Sequence, residues 1–123
     1  MSFMRFWVME KKILKFEELE DILNDIKDRI VKVFNPVKII LFGSYAYGKP
    51  HKFSDIDLFI ILETKERPVK RRIMISRLFR DRPLPMDFII KTPSEVEERL
   101  SIGDFFIKKI LEKGRVLYER KTG

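Results

Sequence analysis

Apolar residues between Phe16 and Phe34 recur at three- and four-residue steps (Phe16, Leu19, Ile22, Leu23, Ile26, Ile30, Val33, Phe34), the spacing of one helix face. Glu17, Glu18, Glu20 and Asp21 crowd its start, where the helix dipole favours acids, and Asn35-Pro36 ends it. The period then changes. Nearly unbroken apolar runs, bounded by glycine, proline and polar residues, predict strands at 37–42, 55–62, 86–90 and 115–119. Between the second and third runs Pro68 suits a first helical turn, with Val69, Ile73, Leu78 and Phe79 as the buried side. Thr92-Pro93-Ser94-Glu95 has the form of a capping box and opens a further helix. Its inner residues are predicted to be Val96, Leu100, Phe105, Phe106, Ile110 and Leu111, with a break near Gly103 and an end at Gly114. The alternating periods predict an α/β (α+β) domain with a small mixed sheet and helices mainly on one face.

With 123 residues and 45% hydrophobic content, a single domain over 1–123 can bury a core unaided, residues 1–12 forming an N-terminal tail, disordered or docking. A chain of this length has no room for the additional domains with which templated polymerases grip primer and template. No cysteine is present, which excludes disulfides, thiolate zinc sites and cysteine nucleophiles. The apolar start, Met1 to Met9, is cut off by Glu10-Lys11-Lys12 without a cleavage signal, and Met4 and Met9 are alternative starts. No segment is long enough to span a membrane, so the expected location is the cytoplasm. Charged residues at 37%, the absence of glutamine and only two asparagines lean towards a thermophile, against which stand five methionines.

Between Lys65 and Arg82, eight basic side chains face only Glu66 and Asp81, a local surplus of six within a formal net charge of +7. Such a helix has one strongly basic face, either merely solvated or attracting triphosphate, RNA or an acidic partner. Direct nucleic-acid binding is open but not favoured. His51, the single histidine, falls in the loop between Pro50 and Lys52.

The chemistry concentrates elsewhere. A predicted strand runs into Gly43-Ser44, and after ten intervening residues a second strand opens with Asp55-Ile56-Asp57. Glycine permits a sharp turn and close approach to the backbone. A serine at a short helix start places a hydroxyl and free N–H groups where a phosphate can sit. Residues two apart on a strand share a face, so Asp55 and Asp57 project together, roughly 7 Å apart at the backbone. Such carboxylates suit Mg²⁺, which prefers oxygen ligands plus water and substrate phosphates. Two ions about 4 Å apart stabilise both entering and leaving oxygens of an in-line displacement. Asp87, a lone acid in the apolar run Met86-Asp87-Phe88-Ile89-Ile90, is the candidate third carboxylate, since burying it without purpose is costly. An Asp-x-Asp alone is shared with sugar-nucleotide glycosyltransferases.

Taken together, Gly43-Ser44, the ten-residue gap, Asp55-Ile56-Asp57 and the later Asp87 resemble the DNA polymerase β nucleotidyltransferase superfamily, specifically its minimal nucleotidyltransferases, over nearly the whole chain. The resemblance implies the nucleotidyltransferase fold, with Gly43 and Ser44 binding nucleotide, Asp55 and Asp57 holding metal, and Asp87 serving as metal ligand or base. It implies a reaction needing Mg²⁺, as two ions, in which ATP as nucleoside triphosphate gives AMP to an acceptor hydroxyl and pyrophosphate leaves. It further implies an antitoxin role beside a small helical HEPN-type toxin protein, in a homo- or hetero-oligomer. Two other classes stay open: transfer to a small molecule, as in aminoglycoside nucleotidyltransferases, and a non-catalytic subunit that blocks a toxin by contact.

Overall fold

The computed structural model describes residues 16–48, 50, 55–82 and 84–121. The N-terminal tail and His51 lie outside these. Helix α1, Phe16–Phe34, buries Leu19, Leu23, Ile26 and Ile30, as the periodicity predicts. Asn35 closes it with φ 46°, its N–H donating to the Val31 carbonyl at 3.0 Å. Asparagine is among the few residues that tolerate this left-handed position.

Four strands follow: β1 Lys38–Phe42, β2 Ile56–Ile61, β3 Met86–Lys91 and β4 Arg115–Glu119. They form one sheet in the order β3-β2-β1-β4. β1 is antiparallel to β2 and β4, whereas β2 and β3 are parallel. A parallel pair needs a crossover. Helix α2, Pro68–Ser76, and a 3₁₀ turn at Arg77–Phe79 supply it.

Alternation along the strands divides the core in two. Ile39, Leu41, Ile56, Leu58, Ile60, Phe88 and Ile90 meet α1 and the α2 segment on one face. Ile40, Phe42, Phe59 and Ile61 meet Val96, Ile107 and Ile110 of the short helices α3, Pro93–Ser101, and α4, Phe105–Lys113, on the other. The larger core and the long helix lie on the first face. The domain is thus a mixed α+β sheet with its helical weight to one side and a smaller cover opposite. Among the described residues, no helix is long and apolar enough to cross a membrane.

The inner faces of two helices differ from the sequence expectation. In α2, Val69 and Ile73 are 60% and 45% exposed, while Arg71 is only 6% exposed. Arg71 can turn inward because its guanidinium is fully used. Nε donates to the Glu66 carbonyl at 2.7 Å, Nη1 to the Ile90 carbonyl at 3.2 Å, and the fork to the Glu95 carboxylate at 2.7 and 3.2 Å. That pairing holds the Glu95 carboxyl down at about 2. Glu95 also completes the expected capping box, accepting from Thr92 N–H at 2.8 Å while Thr92 Oγ1 accepts from its own N–H.

At the end of α3 Leu100 faces outward, and in α4 Phe105 is 82% exposed and Phe106 also faces outward, with Ile107 buried in place of these phenylalanines. The physical reason is the break at Gly103. Asp104 caps a new helix by accepting from Ile107 N–H at 3.0 Å, which resets the helical phase.

Gly114 ends α4 as expected, but its backbone is extended (φ −69°, ψ 162°) rather than left-handed. Its need is steric: a Cβ there would lie 2.4 Å from Ile40 Cγ2 and 2.5 Å from the Ile110 carbonyl oxygen. Gly114→Ala is therefore expected to destabilise the fold by about 1–3 kcal/mol, the cost of overpacking, read as a lower urea midpoint.

Candidate active site

The register of the central strand brings the candidate residues together. Phe42, the last residue of β1, pairs with Asp57, and Asp57 pairs with Asp87 across the parallel ladder. Because Ile56, Leu58 and Phe88 enter the α1/α2 core, Asp57 and Asp87 project from the opposite sheet face, and Asp55 shares their parity. Asp55, just ahead of β2, and Asp87 are exposed, whereas Asp57 between them is half-buried. The acids gather at the sheet end where β1 finishes and β2 and β3 begin.

Burial, then the charge of Asp87, then that of Asp55, push the Asp57 carboxyl up to about 6. Among the described residues, none of the three acids has a lysine or arginine in ion-pair contact. Nor do any three such side chains already stand in a ligating arrangement. The donor set still fits a divalent cation by its chemistry: hard oxygens, an uncompensated charge and two acids open to solvent.

Gly43 makes the arrangement feasible. It adopts φ 78°, and a Cβ at this position would fall 2.1 Å from Asp57 Oδ2. The turn over 44–48 closes on the Gly43 carbonyl, which accepts from Ala46 N–H at 3.0 Å and Tyr47 N–H at 3.1 Å. The short helix expected after Ser44 is this single turn. Tyr45 and Ala46 anchor it on the α1 side of the sheet and Tyr47 on the other. Lys109 Nζ stands 5.3 Å from the Tyr47 ring centroid, and Phe106 packs edge-on against Phe42 at 5.8 Å. Sequence reasoning did not place Tyr47, Lys109 and Phe106 beside the turn. No spacing connects α4 to residues so distant in sequence.

A cavity of about 490 Å³ lies at the other end of β2 and β3 around Glu63, Thr92 and the Arg71–Glu95 pair. Its buried charge, Arg71, is already matched by Glu95.

Residues 17–118 match the profile of the nucleotidyltransferase domain family. The chain belongs to that family. It is 35% identical over 112 residues to a Methanocaldococcus jannaschii protein named as a candidate protein adenylyltransferase, covering 83% of this chain and 73% of the relative. Among solved structures, a candidate nucleotidyltransferase of Sulfolobus solfataricus superposes with TM-score 0.56 at 20% identity, over 80% of this chain and 78% of that one. A toxin–antitoxin structure with AMP-PNP gives TM-score 0.58 at 20% identity, over 80% and 74% of the two chains. At these identities the superpositions establish the fold, and the expectation of a nucleotidyltransferase holds.

Two expectations follow for this nucleotidyltransferase. An aspartate whose folded pKa is raised stabilises the fold at low pH relative to high pH, and that contribution is lost as pH rises through the folded value. Metal-free Asp57→Asn protein is therefore expected to melt above wild type at pH 7–8, with the gap shrinking as pH falls from about 6 towards 4. Excess Mg²⁺ should reverse the order, since wild type gains about 2.7 kcal/mol at a hundredfold excess over its dissociation constant. A mutant that melts lower under every condition would make Asp57 a structural hydrogen-bond acceptor.

Gly43→Ala forces either Asp57 or the turn to move. Transferase activity should fall by about 10²-fold, as a displacement of about 1 Å in a positioned group suffices for that. Steady-state kinetics check this, alongside melting curves that gauge folding.

Proposed function

We propose that the chain transfers AMP from ATP to a hydroxyl on a partner protein, in a Mg²⁺-dependent reaction that makes it the antitoxin of a toxin–antitoxin pair. The observation that carries the reading is the convergence of three uncompensated carboxylates on a glycine turn, with Asp57 pushed up to about 6 by burial and by the charges of Asp87 and Asp55. The name of the Methanocaldococcus relative supports protein adenylylation, and the toxin–antitoxin structures of similar fold support the partner class. A small helical HEPN-type toxin is the partner implied.

Asp55 and Asp57 would hold Mg²⁺, with Asp87 completing the set or accepting the acceptor's proton. When bound, the metal supplies charge neutralisation for the entering and leaving oxygens of the displacement. The turn after Gly43 lies beside these acids, and the Ser44 hydroxyl and the N–H groups of Ser44 and Tyr45 precede the hydrogen bonds that close it. They are the donors for the triphosphate. Asp87 belongs to the edge strand, the side from which an acceptor can approach without crossing the core.

The test is incubation with Mg²⁺, labelled ATP and the product of the adjacent gene, which should become labelled. Asp55→Ala or Asp57→Ala should lower the rate by about 10²-fold or more, the usual cost of removing charge stabilisation from the transition state. Neutralisation of the partner without transfer would favour a contact-only antitoxin, and label on an aminoglycoside alone would favour a small-molecule enzyme.

A further inference from the structure

β3 is an edge strand, and it carries the exposed Asp87. Ile56 N–H donates to the Pro85 carbonyl and Leu62 N–H to the Lys91 carbonyl, so the odd-numbered residues of β3 turn their backbone groups towards β2. The even-numbered Met86, Phe88 and Ile90 turn theirs outward. At the far end the Ile90 carbonyl is taken by Arg71, but among the described residues no strand pairs with this edge. Such an edge invites addition of another strand unless something covers it.

A groove runs along it. Its first part, about 350 Å³, lies between Val69, Arg72 and Ile73 of α2 and Met86 to Phe88 of β3, with Asp87 in its wall. A second part, sharing Arg72 and Phe88, carries it on to Lys91. The apolar side chains of α2 that the sequence predicted to be buried, Val69 and Ile73, are those that stand exposed here. Apart from Asp87, the charged side chains lining the groove, Arg72 and Lys91, are basic.

We propose that this groove docks an extended, acidic segment of the acceptor protein as a fifth strand on β3, delivering its hydroxyl residue to Asp87. Backbone pairing with Met86 and Phe88 would supply affinity, and alternate side chains specificity. On the α2 side the segment's residues would meet Val69, Ile73 and the Arg72 guanidinium beside them, and on the Asp87 side acidic residues would meet Lys91. Adjacent strands lie about 4.8 Å apart, so the residue level with Asp87, on its sheet face, stands within reach of that carboxylate. The chain's own first residues are a poor match, since Arg5, Lys11, Lys12 and Lys15 outnumber Glu10. Delivery of the hydroxyl rests on the transferase reading above, whereas occupation of the groove does not.

Binding is therefore measured without nucleotide, by fluorescence polarisation of a dye-labelled peptide Glu-Val-Glu-Val-Tyr-Val-Glu-Val-Glu with the full chain. Saturable binding is expected, weakened about tenfold or more by Arg72→Glu and by Ile73→Asp in protein whose melting shows it folded. With wild-type protein, N-methylation of one alternate set of peptide amides should abolish binding and of the other leave it. Absence of binding, or equal binding by both methylated peptides, would overturn the proposal. So would preferential binding of oligouridylate, or of a peptide of residues 1–15, at the same surface. If the peptide binds as expected while neither it nor any partner accepts label from MgATP, the transferase reading fails and the groove assignment stands.

Discussion

Asp57 can occupy the end of β2 because residue 43, one step beyond its partner Phe42, has no Cβ. The carboxylate takes the volume that any other side chain would fill. Its seat is half-buried and flanked by two further acids, which raises its pKa and leaves its charge unsatisfied. A fold gains nothing from that arrangement by itself, since desolvated like charges are unfavourable. The mixed sheet makes the arrangement possible: antiparallel pairing brings β1 to its turn beside Asp57, and parallel pairing sets Asp87 on the other side.

Arg71 shows what a charge placed for stability looks like in the same protein. It is more deeply buried than any acid of the site, yet every part of its guanidinium reaches a carbonyl or the Glu95 carboxylate. Arg29 behaves similarly nearer the surface. It bridges Asp25 and Asp81 and donates to the Leu78 carbonyl, tying α1 to the segment that leads into β3. Matched pairs fix the scaffold, whereas the half-buried Asp57 has two further acids beside it and no described cation in contact.

Much of this was legible in the sequence because it depends on local rules. α1, all four strands, the capping box and the break at Gly103 each follow from periodicity or turn chemistry within about ten residues. The grouping of Gly43, Asp55, Asp57 and Asp87 was expected from strand parity, from the lone acid in the third apolar run and from the resemblance these residues carry. What sequence could not yield depends on contacts between distant elements. Arg71 turned inward because Glu95 and the Ile90 carbonyl wait there. Phe105 and Phe106 turned outward because Asp104 restarted the helix in a new phase. Gly114 is required by the nearness of Ile40, which no inspection of the helix end reveals.

The basic surplus between Lys65 and Arg82 resolves in the same way. Of its charges, Arg71 is consumed by Glu95, Arg82 by Asp25 and Lys70 by Glu66, while Arg72, Arg77 and Arg80 remain exposed. No described ion pair joins this surplus to the three acids, although the Arg72 groove reaches Asp87. A side chain that neutralised Asp57 directly would also remove its capacity to hold anything else. Keeping the bases out of contact with Asp57 preserves an unsatisfied carboxylate cluster. On the proposed reading, Arg72 and Lys91 attract the acidic acceptor along the groove, and the carboxylate cluster is left free for the cation.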